Sequence, residues 1–255
     1  DWASNLAPFP YDTKGIATRK ASETVMQFLA AKVPELMGGS ADLNPSTFTW
    51  LKNMGDFQNP ASSSEGLHGM VGGHWGFEGR NIHYGVREHA MGSISVGMAL
   101  HGGVIPYTAT FLTFADYMRP PMRLAALMKL RVIFVFTHDS IGVGEDGPTH
   151  QPVEQVMNLR QVPNMTVIRP ADANETLESW RIALTNTAGP TVLIFSRQNL
   201  PVLDRSVCAP VSSTNQGGYI LWESSPDPEI IFIATGSEVS LALNTEQKLS
   251  HKGVK

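Results

Sequence analysis

The densest titratable chemistry of the chain lies in the stretch THDSIGVGEDGPTHQP. His138, Asp139, Glu145, Asp146 and His150 are all possible metal ligands, although the sequence has no His-x-x-x-His pair that would share one helix face. The glycines between them suit tight turns, which is the purely structural interpretation. Imidazoles and a carboxylate on such a loop can also hydrogen-bond a chain of hydroxyls and move protons near neutral pH. The residues alone leave a metal site, a decorated turn and polyol recognition open.

Two earlier segments carry further candidates. Glu88 stands in GVREHAMG, at an expected helix start, where it is either a carboxylate that compensates the helix dipole or a buried acid that protonates a ring nitrogen. Phe111, Phe114 and Tyr117 recur every three residues. That spacing is typical of core packing, but it would also serve as an aromatic platform for a heterocycle.

Arg19, Ser46 and Arg197 are candidate phosphate contacts. Taken singly each is weak evidence, because a lone arginine usually forms a surface ion pair. The glycine-rich turn GGSADL is not a Walker loop, since no Gly-Lys-Ser/Thr follows it.

Short apolar strands alternate with amphipathic helices over residues 15–204. This pattern predicts an α/β fold with a doubly wound, mostly parallel sheet and helices on both faces. Strands are expected at ELMGGSADL, NIHYG, VIPYTAT, RVIFVF, MTVIRP and TVLIFS, and a first helix at residues 15–33. Pro120 and Pro121 are expected to kink or restart the helix FADYMRPPMRLAALMKL. Because the candidate residues follow strands, we expect them to meet at one edge of the sheet.

The domain organisation expected from the sequence has four parts. Residues 1–14 form an N-terminal linker, 15–204 the main domain and 205–216 a second linker. Residues 217–255 are an incomplete start of a second, C-terminal α/β domain, with strands at YILWE and EIIFIATGSE and a helix at VSLALNTEQKLSHKG. The Gly/Ser/His-rich residues 58–79 look like a surface insertion.

Composition and charge exclude several classes of function. The net charge is −4 and no basic block is present, which argues against nucleic acid as a partner. No apolar run reaches the about 18–20 residues that span a bilayer, so no membrane partner is expected. Cys208 is the only cysteine, which rules out an internal disulfide and favours a cytoplasmic location.

Seven segments, in this order and spacing, resemble the transketolase family: TRKASE, GGSADLNPS, YGVREHAMG, TFLTFADY, THDSIGVGEDGPTHQP, RPAD and SRQNLP. The resemblance continues through GGY and ATGSEVSLA, so it implies a pyrimidine-binding domain followed by the opening of the C-terminal domain. It implies transfer of a two-carbon ketol unit from a ketose phosphate to an aldose phosphate with thiamine diphosphate, a step of the pentose phosphate pathway. A related thiamine enzyme (dihydroxyacetone synthase or phosphoketolase) and a non-catalytic module derived from the fold stay open as alternatives.

The resemblance also implies cofactor-binding residues. Glu88 would hydrogen-bond N1′ of the aminopyrimidine and favour the 4′-imino form, which removes the proton from thiazolium C2. Phe111, Phe114 and Tyr117 would surround the pyrimidine, and Asp42 would lie near the thiazolium. The protein would thus orient and tune the cofactor that carries the chemistry.

By the same resemblance, His138 and His150 would be catalytic residues that face the substrate. Asp146 would read the C2 hydroxyl of the acceptor. The phosphate would be bound by four residues, as a charge-assisted site for a sugar phosphate requires: Arg19, Ser46, His138 and Arg197.

One part of the family's site has no counterpart in the sequence. The family holds the diphosphate and its Mg²⁺ (or Ca²⁺) in another domain, through a Gly-Asp-Gly segment followed by an asparagine, whereas this chain has only EDG at 145–147. No metal ligand is therefore assigned to it. We expect activity to require a diphosphate-binding domain, on another chain or in a missing segment, within a homodimer or a mixed-chain assembly.

Overall fold

The computed structural model describes residues 6–62, 70 and 72–254. Its strands are, in chain order, β1 (Asp12–Ala17), β2 (Leu36–Ser40), β3 (Asp56–Phe57), β4 (Trp75–Gly76), β5 (Asn81–His83), β6 (Ile105–Phe111), β7 (Ile133–Thr137), β8 (Thr166–Ile168), β9 (Thr191–Ile194) and β10 (Asn199–Val202). Strands β2 to β9 form an eight-stranded sheet in the order β4-β3-β5-β2-β6-β7-β9-β8, and all of its neighbouring pairs are parallel. Strands β1 and β10 form a separate antiparallel pair.

Helices cover both faces of the sheet. They are α1 (Thr18–Lys32), α2 (Asn44–Thr47), α3 (Glu88–His101), α4 (Ala115–Leu127), α5 (Gln155–Arg160), α6 (Ala173–Thr185) and α7 (Glu238–Ser250). Alternate residues of β7 face opposite ways: Ile133 and Val135 join the core with α1 and α6, while Phe134 and Phe136 join the core with α3, α4 and α5. The predicted doubly wound α/β sheet is confirmed.

The chain changes direction across the sheet between β2 and β6. After β2 it runs outward through β3 and β4 and returns to β5, then crosses to β6 on the other side of β2. Loops that leave neighbouring parallel strands in opposite directions open a crevice at their carboxyl ends, where ligands bind in such folds. The loops after β2 and β6 therefore define the expected binding crevice.

The predicted first helix begins later than expected. Residues 15–17 belong to β1, together with part of the predicted linker 1–14, and α1 starts at Thr18. Gly15 explains the difference, because its φ is +64° and a Cβ there would lie 1.8 Å from the Leu200 carbonyl oxygen. Only glycine allows this close approach to β10, which a helical period does not reveal.

The prediction that Pro120 and Pro121 restart a helix is wrong. Helix α4 is continuous over Ala115–Leu127 with both prolines inside it. Prolines remove two backbone donors, but Met118, Pro121 and Met122 are buried on this helix. Packing against the sheet outweighs the lost hydrogen bonds.

The strands predicted at YILWE and EIIFIATGSE are also wrong. Within the described residues 217–254 the only regular element is α7, which matches the predicted helix. Ile231 is 76% exposed and Ile233 is 95% exposed. A strand needs a neighbour for its backbone hydrogen bonds, and in the described structure this segment pairs with none.

The predicted surface insertion at 58–79 is described only in part. β4 lies within it and forms the outermost strand of the sheet on that side. Residues 63–69 and 71 lie outside the described residues, as do residues 1–5 of the predicted N-terminal linker.

Candidate active site

The loops that carry the candidate residues leave one edge of the sheet. The ends of β2, β6, β7 and β9 lie within two residues of one another in the sheet register, since Ser40 pairs with Ala109, Phe111 with Thr137, and Phe136 with Ile194. The loops after these strands therefore start side by side. This is the edge at which the sequence placed the site.

The aromatic stripe consists of Phe111, Phe114 and Tyr117 and runs from the last residue of β6 into α4. Its side chains become more exposed along the chain. The rings of Phe111 and Phe114 are nearly parallel, with centroids 6.0 Å apart and an interplanar angle of 12°. Tyr117 continues the series at 6.2 Å from Phe114. Phe111 is only 7% exposed, whereas Tyr117 is 64% exposed. Tyr117 is therefore not core packing, and its exposed ring is available for contact with a ligand.

Both histidines of the glycine-rich loop contact this stripe. The His138 imidazole stacks on Phe111 with a centroid separation of 3.7 Å. His150 approaches Phe114 edge-on at 5.3 Å and 78°. The aromatic residues and the histidines therefore form one continuous cluster.

His138 has a constrained local structure. Its φ is +59°, a left-handed conformation that non-glycine residues rarely adopt, and the residue is only 3% exposed. Its Nδ1 lies 2.9 Å from the Thr137 hydroxyl oxygen. Strained backbone held by buried surroundings is a common property of functional positions.

The electrostatic surroundings of His138 keep its ring neutral. Burial, followed by the positive charges of Arg19 and Arg197 and by His150, lowers the pKa of His138 to about 4, although Asp146 opposes the shift. A neutral imidazole offers one donor and one acceptor nitrogen at pH 7. Since all four neighbours act on His138, the loop and the two arginines share one site.

Arg19 lies at the end of this site beside α2. Its Nη1 donates to the Ser46 carbonyl oxygen at 2.6 Å, and its guanidinium lies 5.0 Å from the centroid of the Phe48 ring. Burial lowers the pKa of Arg19, and the nearby Arg197 lowers it further. Ser46 thus positions Arg19 through its backbone, while the predicted role of its hydroxyl stays a prediction.

Arg197 lies against the glycine-rich loop. It follows β9 and is exposed, and a Cβ on Gly144 would lie 3.1–3.2 Å from its guanidinium. Gly144 has a φ of +79°. Asp146, two residues further along the loop, is exposed. A side chain at residue 144 would therefore require the Arg197 guanidinium to shift by a few tenths of an ångström.

Glu88 and Asp42 both precede the aromatic stripe in the chain. Glu88 is the first residue of α3 and is 8% exposed; the Thr110 hydroxyl of β6 donates to its Oε1 at 3.5 Å. This position is compatible with both interpretations of the glutamate, dipole compensation and ring-nitrogen contact. Asp42 lies two residues beyond β2, exposed, with a φ of +63°.

The surroundings of Asp139 do not support a role as a metal ligand. Its Oδ2 accepts from Arg169 Nε at 2.8 Å, in a nearly fully buried ion pair. Among residues 6–62, 70 and 72–254, no three His, Cys, Asp or Glu side chains are grouped so that they could hold a metal ion. Sequence reasoning missed Arg169, although it stands in the RPAD segment directly after β8.

A family comparison decides the relationship. The model of the transketolase pyrimidine-binding domain matches residues 14–202, more than half of the chain. The chain belongs to the transketolase family. A second model, of the transketolase-like C-terminal domain, matches residues 217–255.

Curated transketolases match over the whole chain. The relative from Aquifex aeolicus is 48% identical over 255 residues, and the relative from Nostoc sp. is 48% identical over 257 residues. Both alignments cover 100% of this chain, but only 34% and 36% of those proteins. The chain therefore spans about a third of the length of the transketolases it matches.

Solved transketolase structures share the fold. A Pichia stipitis transketolase in complex with sedoheptulose 7-phosphate has a TM-score of 0.90 and 42% identity, covering 100% of this chain and 36% of that one. Transketolase from Leishmania mexicana has a TM-score of 0.85 and 46% identity, covering 98% and 34%. A split-gene transketolase, an inactive β4 tetramer, covers 94% and 69% with a TM-score of 0.61 and 22% identity, which shows the fold alone.

No helix in the described part of the transketolase-family chain has both the length and the apolar character needed to cross a membrane.

Proposed function

We propose that this chain supplies the pyrimidine-side and substrate-channel half of a transketolase active site. The activity is transfer of a two-carbon ketol unit between sugar phosphates with thiamine diphosphate. The observation that carries the proposal is the 3.7 Å stack of His138 on Phe111. It joins an aromatic platform for a heterocycle to a histidine that lies within the electrostatic reach of two arginines.

The residues around the stripe fit an aminopyrimidine ring. Phe111 and Phe114 have nearly parallel ring planes. Glu88 is a buried carboxylate that accepts a hydrogen bond from Thr110, the residue before Phe111 in β6. A flat heterocycle gains from the ring faces, and a carboxylate oxygen can accept or share a proton at a ring nitrogen. Thiamine diphosphate, when bound, supplies the nucleophilic carbon that carries the two-carbon unit. In this proposal Glu88 holds a proton at the pyrimidine, the aromatic rings orient it, and Asp42 lies near the other ring.

The polar end of the site fits a sugar phosphate. Arg19 and Arg197 lower the pKa of His138 together, so their positive charges converge on a buried, neutral imidazole. A phosphate dianion would relieve the repulsion between the two guanidinium groups and gain charge-assisted hydrogen bonds. We assign the phosphate to Arg19, Arg197, His138 and Ser46.

We assign binding of the sugar hydroxyls and the carbonyl group to the loop between His138 and His150. His150 lies edge-on to Phe114 and can hold the donor's first hydroxyls and carbonyl, and Asp146 can read the C2 hydroxyl of the acceptor. At neutral pH, His138 can donate and accept hydrogen bonds without a net charge.

The remaining half of the site belongs, in this proposal, to a diphosphate-binding domain. It would hold the diphosphate and Mg²⁺ (or Ca²⁺) and would lie on a second chain or elsewhere in the protein. Division of this chain into a domain at 15–204, a linker at 205–216 and the start of a C-terminal domain at 217–255 is part of the same proposal. Homodimers or mixed-chain assemblies would both complete the site.

A reconstitution assay tests the function. The chain is combined with a chain that supplies a diphosphate-binding domain, and ketol transfer from xylulose 5-phosphate to ribose 5-phosphate is measured. Glu88→Gln is expected to lower kcat at least about hundredfold, the usual effect of losing a positioned proton-transfer group. Glu35 is an exposed carboxylate directly before the first residue of β2, at the end of the strand away from the site. Glu35→Gln is therefore the matched control and is expected to retain turnover. Full activity of Glu88→Gln would refute the assigned role.

The same assay separates the alternatives. Two convergent arginines favour a phosphorylated acceptor, so ribose 5-phosphate is expected to react faster than formaldehyde. Faster reaction with formaldehyde would favour a dihydroxyacetone synthase. An ordered assembly without turnover on any sugar phosphate would favour a non-catalytic module.

A further inference from the structure

Arg169 connects two parts of the chain that lie on opposite sides of it. On one side its Nε and Nη2 contact Asp139 Oδ2, each at 2.8 Å. On the other side its Nη1 donates to the Thr235 carbonyl oxygen at 2.8 Å, and its Nη2 donates to the Ser237 hydroxyl at 3.1 Å. Glu238, the first residue of α7, also accepts from both Nη atoms.

The arrangement of acceptors around residue 169 suits an arginine side chain. The Arg169 side chain is 7% exposed and the Asp139 side chain 1%, so the pair lies away from water. Burial raises the pKa of the Asp139 carboxyl, and the Arg169 guanidinium opposes that rise. The neighbouring Gly236 has a φ of +58°, and a Cβ there would lie 2.7–2.8 Å from the Arg169 side chain. A planar group with five donors is the side chain that can hold two carboxylates and a carbonyl at once.

Asp139 directly follows His138, the histidine that stacks on Phe111. His138 has a φ of +59° and both residues are buried, so the surroundings restrict the positions of the carboxylate and the imidazole relative to each other. A displacement of Asp139 is therefore expected to displace the His138 ring, because a single planar peptide unit joins the two residues.

We propose that Arg169 is a positioning residue, which couples the segment Thr235–Glu238 at the start of α7 to Asp139 and thereby fixes the His138 imidazole in the site. The C-terminal region thus reaches the substrate end of the site without touching a substrate. The assignment of His138 as a substrate-facing residue rests on the proposed function. The coupling of Arg169 to His138 does not.

The ring signals of His138 test the coupling in the folded chain. The imidazole is assigned by NMR as the signal lost in His138→Asn, among the eight histidines of the chain. Arg169→Gln is expected to shift the His138 ring signals by more than a linewidth. Arg205→Gln is the matched control, because Arg205 also bridges buried acids, Asp172 and Glu175. It is expected to leave the His138 signals in place.

A second variant keeps the test decisive if Arg169→Gln does not fold. Glu238→Ala removes only the half-exposed carboxylate on the α7 side and leaves the Asp139–Arg169 pair intact. It is expected to shift the His138 signals in the same direction by a smaller amount. Unchanged His138 signals in the folded Glu238→Ala chain, or an equal shift in Arg205→Gln, would overturn the proposal. Since the readout is not turnover, this outcome leaves the Glu88 test of function unaffected.

Discussion

At the scale of single residues, His138 combines a strained backbone, a ring stack and an unusual proton affinity. Burial, together with Arg19 and Arg197, lowers its pKa to about 4, so the folded chain holds the imidazole neutral at pH values where a free histidine begins to charge. Neutrality suits a group that must share its surroundings with two guanidinium ions. It also has a consequence for stability.

Between its folded and unfolded pKa values, His138 makes stability depend on pH. The unfolded chain takes up a proton as pH falls below about 6.5, while the folded chain does not until about pH 4. The free energy of unfolding is therefore expected to fall from pH 7 to pH 5.5 more steeply in the parent than in His138→Asn. The difference should stay below about 1 kcal/mol per pH unit, because the unfolded histidine is only partly protonated over most of this range.

Asparagine is the suitable replacement, because it tolerates a positive φ better than most residues. Chemical denaturation at pH 8, 7 and 5.5 measures the two slopes. Between pH 8 and pH 7 the difference between the parent and the variant should change little, since the folded imidazole is neutral and the unfolded one mostly neutral there. Equal slopes below pH 7 would mean that His138 is not held neutral by the fold.

At the scale of elements, the loop after β7 owes its shape to its glycines. Gly144 has a φ of +79° and lies where a Cβ would press on the Arg197 guanidinium. The backbone conformation of the loop therefore favours glycine at residue 144, and a Cβ there would also require a small shift of Arg197.

Gly144→Ala is expected to weaken phosphate binding as well as stability. The left-handed backbone should cost about 1–2 kcal/mol of stability, and displacement of Arg197 should weaken binding of inorganic phosphate several-fold. Gly103→Ala is the matched control, because its φ is +84° and nothing lies within 4 Å of the added Cβ. It should lose similar stability and keep phosphate binding, measured by NMR titration. Equal phosphate affinity in both variants would show that the conformation of this loop does not affect phosphate binding.

Much of the fold followed from local pattern, whereas the roles expected of the site residues came from the family resemblance. The run RVIFVF predicted β7 correctly, and the position of Glu88 and the aromatic stripe just after strands predicted the edge at which they lie. Such features depend on residues near one another in the chain, where period and chain position carry the information.

Long-range contacts were the part that local pattern could not supply. The pairing of β1 with β10 depends on a close approach between Gly15 and Leu200. The ion pair between Asp139 and Arg169 joins residues 30 positions apart. From the sequence, Asp139 was a possible metal ligand and Arg169 was not singled out. The apolar runs after residue 217 have strand-like composition, but strand formation also requires a partner strand.

At the scale of the whole molecule, this transketolase-family chain matches only about a third of its relatives' length. The residues proposed for the pyrimidine, the sugar and the phosphate all lie on it. The Gly-Asp-Gly segment associated with the diphosphate does not occur in its sequence. The central claim is therefore that the chain provides one half of a shared site and that cofactor binding needs the other half.

Calorimetric titration with thiamine diphosphate and Mg²⁺ tests this claim most directly. The account predicts no tight binding by the chain alone, and tight, magnesium-dependent binding once a chain with a diphosphate-binding domain is added. Tight, magnesium-dependent binding by this chain alone would contradict it.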